Sequence, residues 1–385
     1  MNGQNPNPHF QTAQTATEVL ANFYLRNVAA SVYSRAKLVY ANPNWKFSNP
    51  NPETRNPKPE TQAKRMPFWI GTDEAGYGPN LGPLLVAATV WEGPPEASVD
   101  SLPALLAPIS DSQWNPDAET LKAPLADSKE LYQPGGSLAA LEYGLLAALR
   151  IAGEQPSSWR EIWKALAPRA EQEFTSSPWL ADYNESLPLD AEPSVLQALS
   201  ETFERGLQQA DVRRRVIRAT ALFPAEFNNQ VEQLQSKGGL LSLTTLKLIQ
   251  PLLDSLPEGD VLIGCDKHGG RNQYAGFLQH VFGCWAETVI ESRAQSIYRW
   301  GPPEKRVEIR FTAKGEAFPP AALASMTAKY LRELAMRAFN AFWRKEIPAL
   351  RPTAGYPQDA RRFKKEIEEV QKQLEIDDWI LWRNR

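Results

Sequence analysis

Apolar and polar positions along the chain fall into short hydrophobic runs separated by amphipathic stretches, beginning at Phe68. Phe68–Thr72 and Leu84–Trp91 are compact apolar runs set off by glycine and proline, which predicts buried strands. A Pro-rich connection leads to Leu138–Ile151, whose small and apolar residues predict a helix. Acidic, helical segments fill 157–212. An alternating order then returns, with a strand at Arg215–Phe223, a helix at Ser242–Asp254, a strand at Asp260–Cys265 and a helix at Tyr274–Phe282. Two β-branched segments, Thr288–Trp300 and Val307–Thr312, precede an amphipathic helix from Pro320 to Lys345. The stretch 358–380 predicts one charged helix. This order predicts an α/β protein with a mixed sheet flanked by helices.

Residues 1–65 break the pattern. Asn-Pro-Asn-Pro at 5–8 and 49–52 and Asn-Pro-Lys-Pro at 56–59 place proline too densely for helix or central strand, so a disordered extension is expected, with at most a short helix near Thr15–Val32. The resulting division is 1–65 extension, 66–154 first part of the domain, 155–212 helical insertion, 213–350 second part and 351–385 C-terminal helical segment.

Composition narrows the class. With 42% hydrophobic and 10% aromatic residues, 385 residues suit a globular protein with a sizeable core. No apolar run approaches the roughly 20 residues needed to span a bilayer, and the N-terminus lacks the basic start and apolar centre of a secretory signal. Two cysteines do not make a disulfide framework. A cytoplasmic protein with no membrane contact is expected; protein partners are not legible. The net charge of -3 argues against bulk attraction to nucleic acid, yet residues 293–385 carry 19 Lys and Arg against 12 Asp and Glu. A basic patch on a near-neutral body suits a phosphate-backbone binder, and solvated helix faces are the plainer alternative.

The chemistry concentrates in Asp73-Glu74-Ala75-Gly76-Tyr77-Gly78, two adjacent acids at the end of a strand followed by a glycine turn. Neighbouring side chains on a strand point to opposite faces, so two acids in a row share one ion only where the strand ends or bends. Taken alone, the pair also reads as solvated turn acids. A rival constellation is Cys265, His268, His280 and Cys284, spaced Cys-x2-His-x11-His-x3-Cys as in a structural zinc site. That reading requires the loop after Cys265 to fold back.

Five short blocks in order resemble the type 2 ribonucleases H, the ribonuclease HII family. Gly71–Gly78 with Gly82-Pro83 resembles the family's Gly-x-Asp-Glu-Ala-Gly-Arg-Gly and Gly-Pro, with Tyr77 in place of Arg. Asp127-Ser128-Lys129-Glu130-Leu131 resembles Asp-Ser-Lys-x-Leu. Val216–Asp266 forms the third block, and Lys314-Gly315-Glu316 with Ala324-Ser325 through Lys329 to Arg332-Glu333 the fourth, with Glu333 where the family has Asp. Gly355-Tyr356-Pro357 is the fifth. The match covers most of 67–365 and leaves a stretch near 155–212 unmatched.

The resemblance implies a ribonuclease H-like fold and hydrolysis of the RNA strand of RNA/DNA hybrids, including ribonucleotides embedded in duplex DNA. It implies Asp73, Glu74, Asp266 and Glu333 as catalytic ligands of two Mg²⁺ or Mn²⁺ ions, hard cations suited to carboxylate oxygens. Gly76, Tyr77, Gly78 and Tyr356 are implied in reading the ribose 2′-hydroxyl and the RNA-to-DNA junction. Lys129, Lys314 and Lys329 are candidate phosphate contacts, and Ser128 a hydrogen-bond donor; each lysine also reads as a solvated surface charge. Glu333 has a surface helix acid as its alternative. Two other functions compete: a non-catalytic hybrid-binding protein that keeps the fold, with Tyr77 and Glu333 marking lost activity, and an interaction protein docking through 155–212.

Overall fold

The apolar runs pair into one sheet whose strands are β1 (Phe68–Ala75), β2 (Leu84–Glu92), β3 (Arg213–Leu222), β4 (Val261–Asp266), β5 (Glu287–Glu291), β6 (Gln295–Trp300) and β7 (Val307–Thr312). The computed structural model describes residues 66–95, 97–115, 117–313 and 318–384. The expected extension 1–65, its short helix and the Lys314-Gly315-Glu316 motif lie outside the described residues. The strand order is β3-β2-β1-β4-β7-β6-β5. At the centre β1, β4 and β7 run parallel, while the remaining neighbours pair antiparallel. The α/β class with a mixed sheet is therefore observed.

Helices cover both faces, and the period-2 alternation of β1 decides what each face meets. Phe68 and Ile70 join a cluster with Leu246 and Ile249 of α5 (Lys237–Asp254) and Leu278 of α6 (Ala275–Phe282). On the other face Trp69, Ala87 and Trp91 meet Leu323 and Leu331 of α7 (Pro319–Glu346). Gly71 sets how closely α7 approaches: a Cβ there would lie 2.1 Å from Ala321 N. Thr89 Oγ1 donates to Pro320 O at 2.7 Å from the neighbouring strand, so the helix start is bonded to the sheet.

Residues 155–212 hold helices whose apolar side chains join the main core. These include α2 (Trp159–Leu166) and α3 (Pro193–Gln209). Trp159 is fully buried and its indole donates to Leu334 O of α7 at 3.1 Å. Glu142, on α1 (Ala139–Ile151), is fully buried and accepts the backbone N–H groups of Leu189, Asp190 and Ala191 at 2.6–2.8 Å.

Three local features differ from the sequence expectations. A helix α4 (Pro224–Leu234) lies between β3 and α5. Thr288–Trp300 folds as two paired strands, β5 and β6, in place of one segment. The C-terminal stretch breaks into α8 (Pro357–Gln373) and a short turn of helix at Asp378–Leu381, because Glu375 adopts φ +54 between them. Among the described residues, no helix is long and apolar enough to cross a membrane.

Candidate active site

Strand register brings the first two acids together. β1 and β4 are parallel neighbours with Thr72 opposite Cys265. Continuing that register by one residue sets Asp73 beside Asp266, on the same face, at the carboxyl ends of both strands. Ligand sites of α/β sheets gather at such ends. Glu74 follows on the opposite face of β1. All three carboxylates line one cleft of about 270 Å³, together with Gly76, Tyr77, Gly78, Ser128, Lys129, Lys329 and Tyr356.

The glycine turn that shapes this cleft is held from beneath. Gly76 has φ +87, a conformation that L side chains rarely adopt. The chain end returns under it: Arg383, almost fully buried, donates to Gly76 O at 2.6 Å and to Pro79 O. Asn80 Nδ2 donates back to Arg383 O at 3.1 Å. From the other side, Asn80 N donates to Gly355 O at 2.8 Å, which sets the half-exposed Tyr356 at the mouth of the cleft.

Helix α7 supplies the next wall. Ser325, buried, hydrogen-bonds Asp73. The same hydroxyl lies 3.2 Å from Asp127 Oδ1 and 3.1 Å from Ser128 Oγ. Asp127 caps the short helix Ser128–Leu131 by accepting from Lys129 N at 3.3 Å. Two turns beyond Ser325, Arg332 occupies the same stripe, buried, and donates to Ala354 O at 2.9 Å.

Glu333 is placed differently. It sits about 100° around the helix from Arg332 and lines an adjoining cavity of about 620 Å³. Lys329 Nζ pairs with its carboxylate at 2.6 Å and the Tyr132 hydroxyl donates to it at 3.0 Å. Lys329, Tyr132 and Tyr356 line both cavities. Asp73, Glu74 and Asp266 thus line one cleft, and Glu333 lines the adjoining cavity, which shares those three residues with it. Lys329 is committed to Glu333 and to the Tyr132 ring, 4.7 Å away. Ser128 is buried, whereas the Lys129 side chain is 78% exposed and leans on Asp127 at 3.3 Å.

Crowded acids in a poorly hydrated place hold protons. Burial, then Asp266 and Asp127, push Asp73 up to about 7 against the bond from Ser325. Burial, Asp73 and Asp266 push Glu74 up to about 8, with Lys129 pulling the other way. Both shifts come first from burial and then from neighbouring acids in one cleft.

Sequence reasoning passed over three contributors. Asp127, Ser325 and Tyr132 contact Asp73, Ser128 and Glu333, and the first two stand inside the Asp-Ser-Lys and Ala-Ser blocks. Tyr132 carried no signal. The rival zinc set is not gathered: among the described residues no three His, Cys, Asp or Glu stand together to hold an ion. His268 is buried against Ser242 Oγ at 3.1 Å, and burial pushes it down to about 3.

A divalent cation fits the cleft in kind, because its donors are hard carboxylate oxygens. Asp73, Glu74 and Asp266 would hold it. As placed, their carboxylates do not converge on one point.

No family model matches the chain, and no curated protein matches it. Among solved structures, it is similar to RNase HII in the PCNA:RNase HII complex from Archaeoglobus fulgidus, with TM-score 0.35, 15% identity, 83% of this chain and 94% of that one covered. Ribonuclease H2 from Pyrococcus horikoshii OT3 gives TM-score 0.34 and 16% identity over 82% and 92%. Bst-RNase HIII in complex with Mn2+ gives 0.35 and 12% over 91% and 76%.

Proposed function

We propose that this chain is a metal-dependent endonuclease that hydrolyses the RNA strand of RNA/DNA hybrids, including ribonucleotides embedded in DNA. The observation that carries the reading is the placement of Asp73 beside Asp266, with Glu74 adjoining, at the carboxyl ends of parallel strands in one cleft. The five ordered sequence blocks supply the substrate class. Mg²⁺ or Mn²⁺, when bound, would activate water and take up the charge that develops on the leaving oxygen. In this reading Asp73, Glu74 and Asp266 bind cation, and Ser325 and Asp127 orient Asp73. The Gly76-Tyr77-Gly78 backbone approaches the ribose 2′-hydroxyl, Tyr356 packs on a sugar from the cleft mouth, and the exposed Lys129 pairs with a backbone phosphate.

The test compares wild type with Asp73→Asn on a duplex carrying one ribonucleotide and on an all-RNA/DNA hybrid. Cleavage by wild type, abolished in Asp73→Asn with hybrid affinity retained, is expected. Full turnover by Asp73→Asn removes that residue from the site. A second reading draws on one observation, the engagement of Glu333 by Lys329 and Tyr132. It makes the chain a non-catalytic hybrid-binding protein, and binding of both substrates without cutting, at ample protein and metal, selects it.

A further inference from the structure

The geometry points to a phosphate clamp built from Lys237 and Arg271 around the Tyr77 hydroxyl, holding a backbone phosphodiester of the nucleic acid beside the acid cleft. It rests on the nuclease reading above and names a part of the substrate's contact surface that the cleft residues do not provide. Tyr77 lines the cleft, but its ring is anchored outside it, in an apolar cluster with Leu84, Leu222 and Phe227. The ring is thereby fixed, and one cation sits over it. Lys237 Nζ, on the first residue of α5, lies 4.4 Å from the ring centroid. Arg271 reaches the same place from the loop after β4, its guanidinium seated 4.5 Å from the Phe277 ring.

Space at this point is kept by glycine. A side chain at Gly238 would begin 3.7 Å from the Tyr77 hydroxyl and 3.9 Å from Arg271 Nη2, and one at Gly269 would begin 2.9 Å from that hydroxyl. A Cβ at Gly270 would meet nothing within 4 Å. Backbone therefore approaches the Tyr77 hydroxyl and the Arg271 guanidinium with no side chain between, and Lys237 and Arg271 both remain partly exposed.

Electrostatics gives the arrangement a purpose. An acidic cleft repels an incoming polyanion, so positive charge on its rims helps a strand to enter by offsetting that repulsion. Lys129 stands on the rim near Asp127. Lys237 and Arg271 stand beside Tyr77, which lines the same cleft as Lys129, so a strand held at both places is held against that cleft. Arginine and lysine with an adjoining hydroxyl are suited to phosphate oxygens.

The experiment uses the full chain, a fluorescent duplex carrying one ribonucleotide, and no divalent cation during binding. Lys237→Gln/Arg271→Gln keeps much of the aliphatic packing and removes both charges. Its affinity is expected to fall on the order of 10-fold or more for each charge removed, and the slope of log affinity against log salt to shrink by about 2. Lys237→Arg/Arg271→Lys should retain both. Gly238→Asp offers an independent route: it sets a carboxylate between the hydroxyl and Arg271, in the first helical turn where an acid favours folding, and should weaken binding on the order of 10-fold. Wild type that cuts the duplex while the Gln and Asp variants bind with unchanged affinity and salt slope overturns the clamp alone. Wild type that neither binds nor cuts overturns the clamp and the nuclease reading together.

Discussion

Replacing Gly76 with alanine tests whether the glycine turn is what holds the two acids. Gly76 sits at φ +87, where an L residue costs about 1–2 kcal/mol. The added Cβ would lie 2.5 Å from Pro83 O and 2.6 Å from Arg332 Nε. The first is backbone, and the second belongs to a side chain that is 1% exposed and bonded to Ala354 O, so neither yields freely. Overpacking of this kind costs about 1–3 kcal/mol, for a total near 2–5 kcal/mol. Gly78 provides the control. It has no positive φ, and a Cβ there would come no nearer than 3.9 Å to Tyr356 Cε1. The unfolding temperature should therefore drop by about 3–8 °C for Gly76→Ala and stay within about 1 °C of wild type for Gly78→Ala. Because relief of the clash shifts the turn, and with it Asp73 and Glu74, cleavage by Gly76→Ala should fall on the order of 100-fold. If the two alanine variants melt together, the turn is not strained as described and the reasoning fails.

Removing the Glu142 carboxylate as Glu142→Leu leaves three backbone N–H groups and the Tyr330 hydroxyl without their acceptor. A loss of about 3–5 kcal/mol in urea unfolding is expected, and a loss below about 1 kcal/mol contradicts the anchoring role. His268 is held at about 3 by burial, so between about pH 6.5 and 3 the unfolded chain binds the proton that the folded chain refuses. Its contribution is fully present above about pH 6.5 and declines by up to about 1.4 kcal/mol per unit as pH falls; His268→Asn should flatten that acid limb, and an unchanged limb counts against it. Mn²⁺ at about 100 times its dissociation constant should stabilise wild type by about 2.7 kcal/mol, with the gain lost in Asp266→Asn; equal stabilisation of both proteins places the ion elsewhere.

Elements whose register is written locally were legible. The β1–turn–β2 unit reads directly from two apolar runs around Gly76 and Gly78, and α7 from its long periodic pattern. Where local punctuation was missing, the reading failed. The β5–β6 turn at Ser292-Arg293-Ala294 holds neither glycine nor proline, so two strands looked like one. Glu375 takes a left-handed conformation with no glycine to announce the helix break. In the site, Asp73 and Asp266 each end an apolar strand, which made them visible, but their adjacency is a fact of parallel register between distant segments. Glu333 shows the limit most clearly. Its motif position was legible, but its contacts with Lys329, one helical turn away, and with Tyr132, from a separate segment, are partners that sequence order does not reveal.

The most direct measurement labels each strand of a duplex carrying a single ribonucleotide and follows cutting by wild type with Mg²⁺ or Mn²⁺, beside an all-DNA duplex and a chelator control. Scission of the ribonucleotide-bearing strand alone, dependent on the metal and absent from the all-DNA duplex, is the predicted result. Metal-independent scission, equal cutting of the all-DNA duplex, or no scission at saturating protein and metal contradicts it.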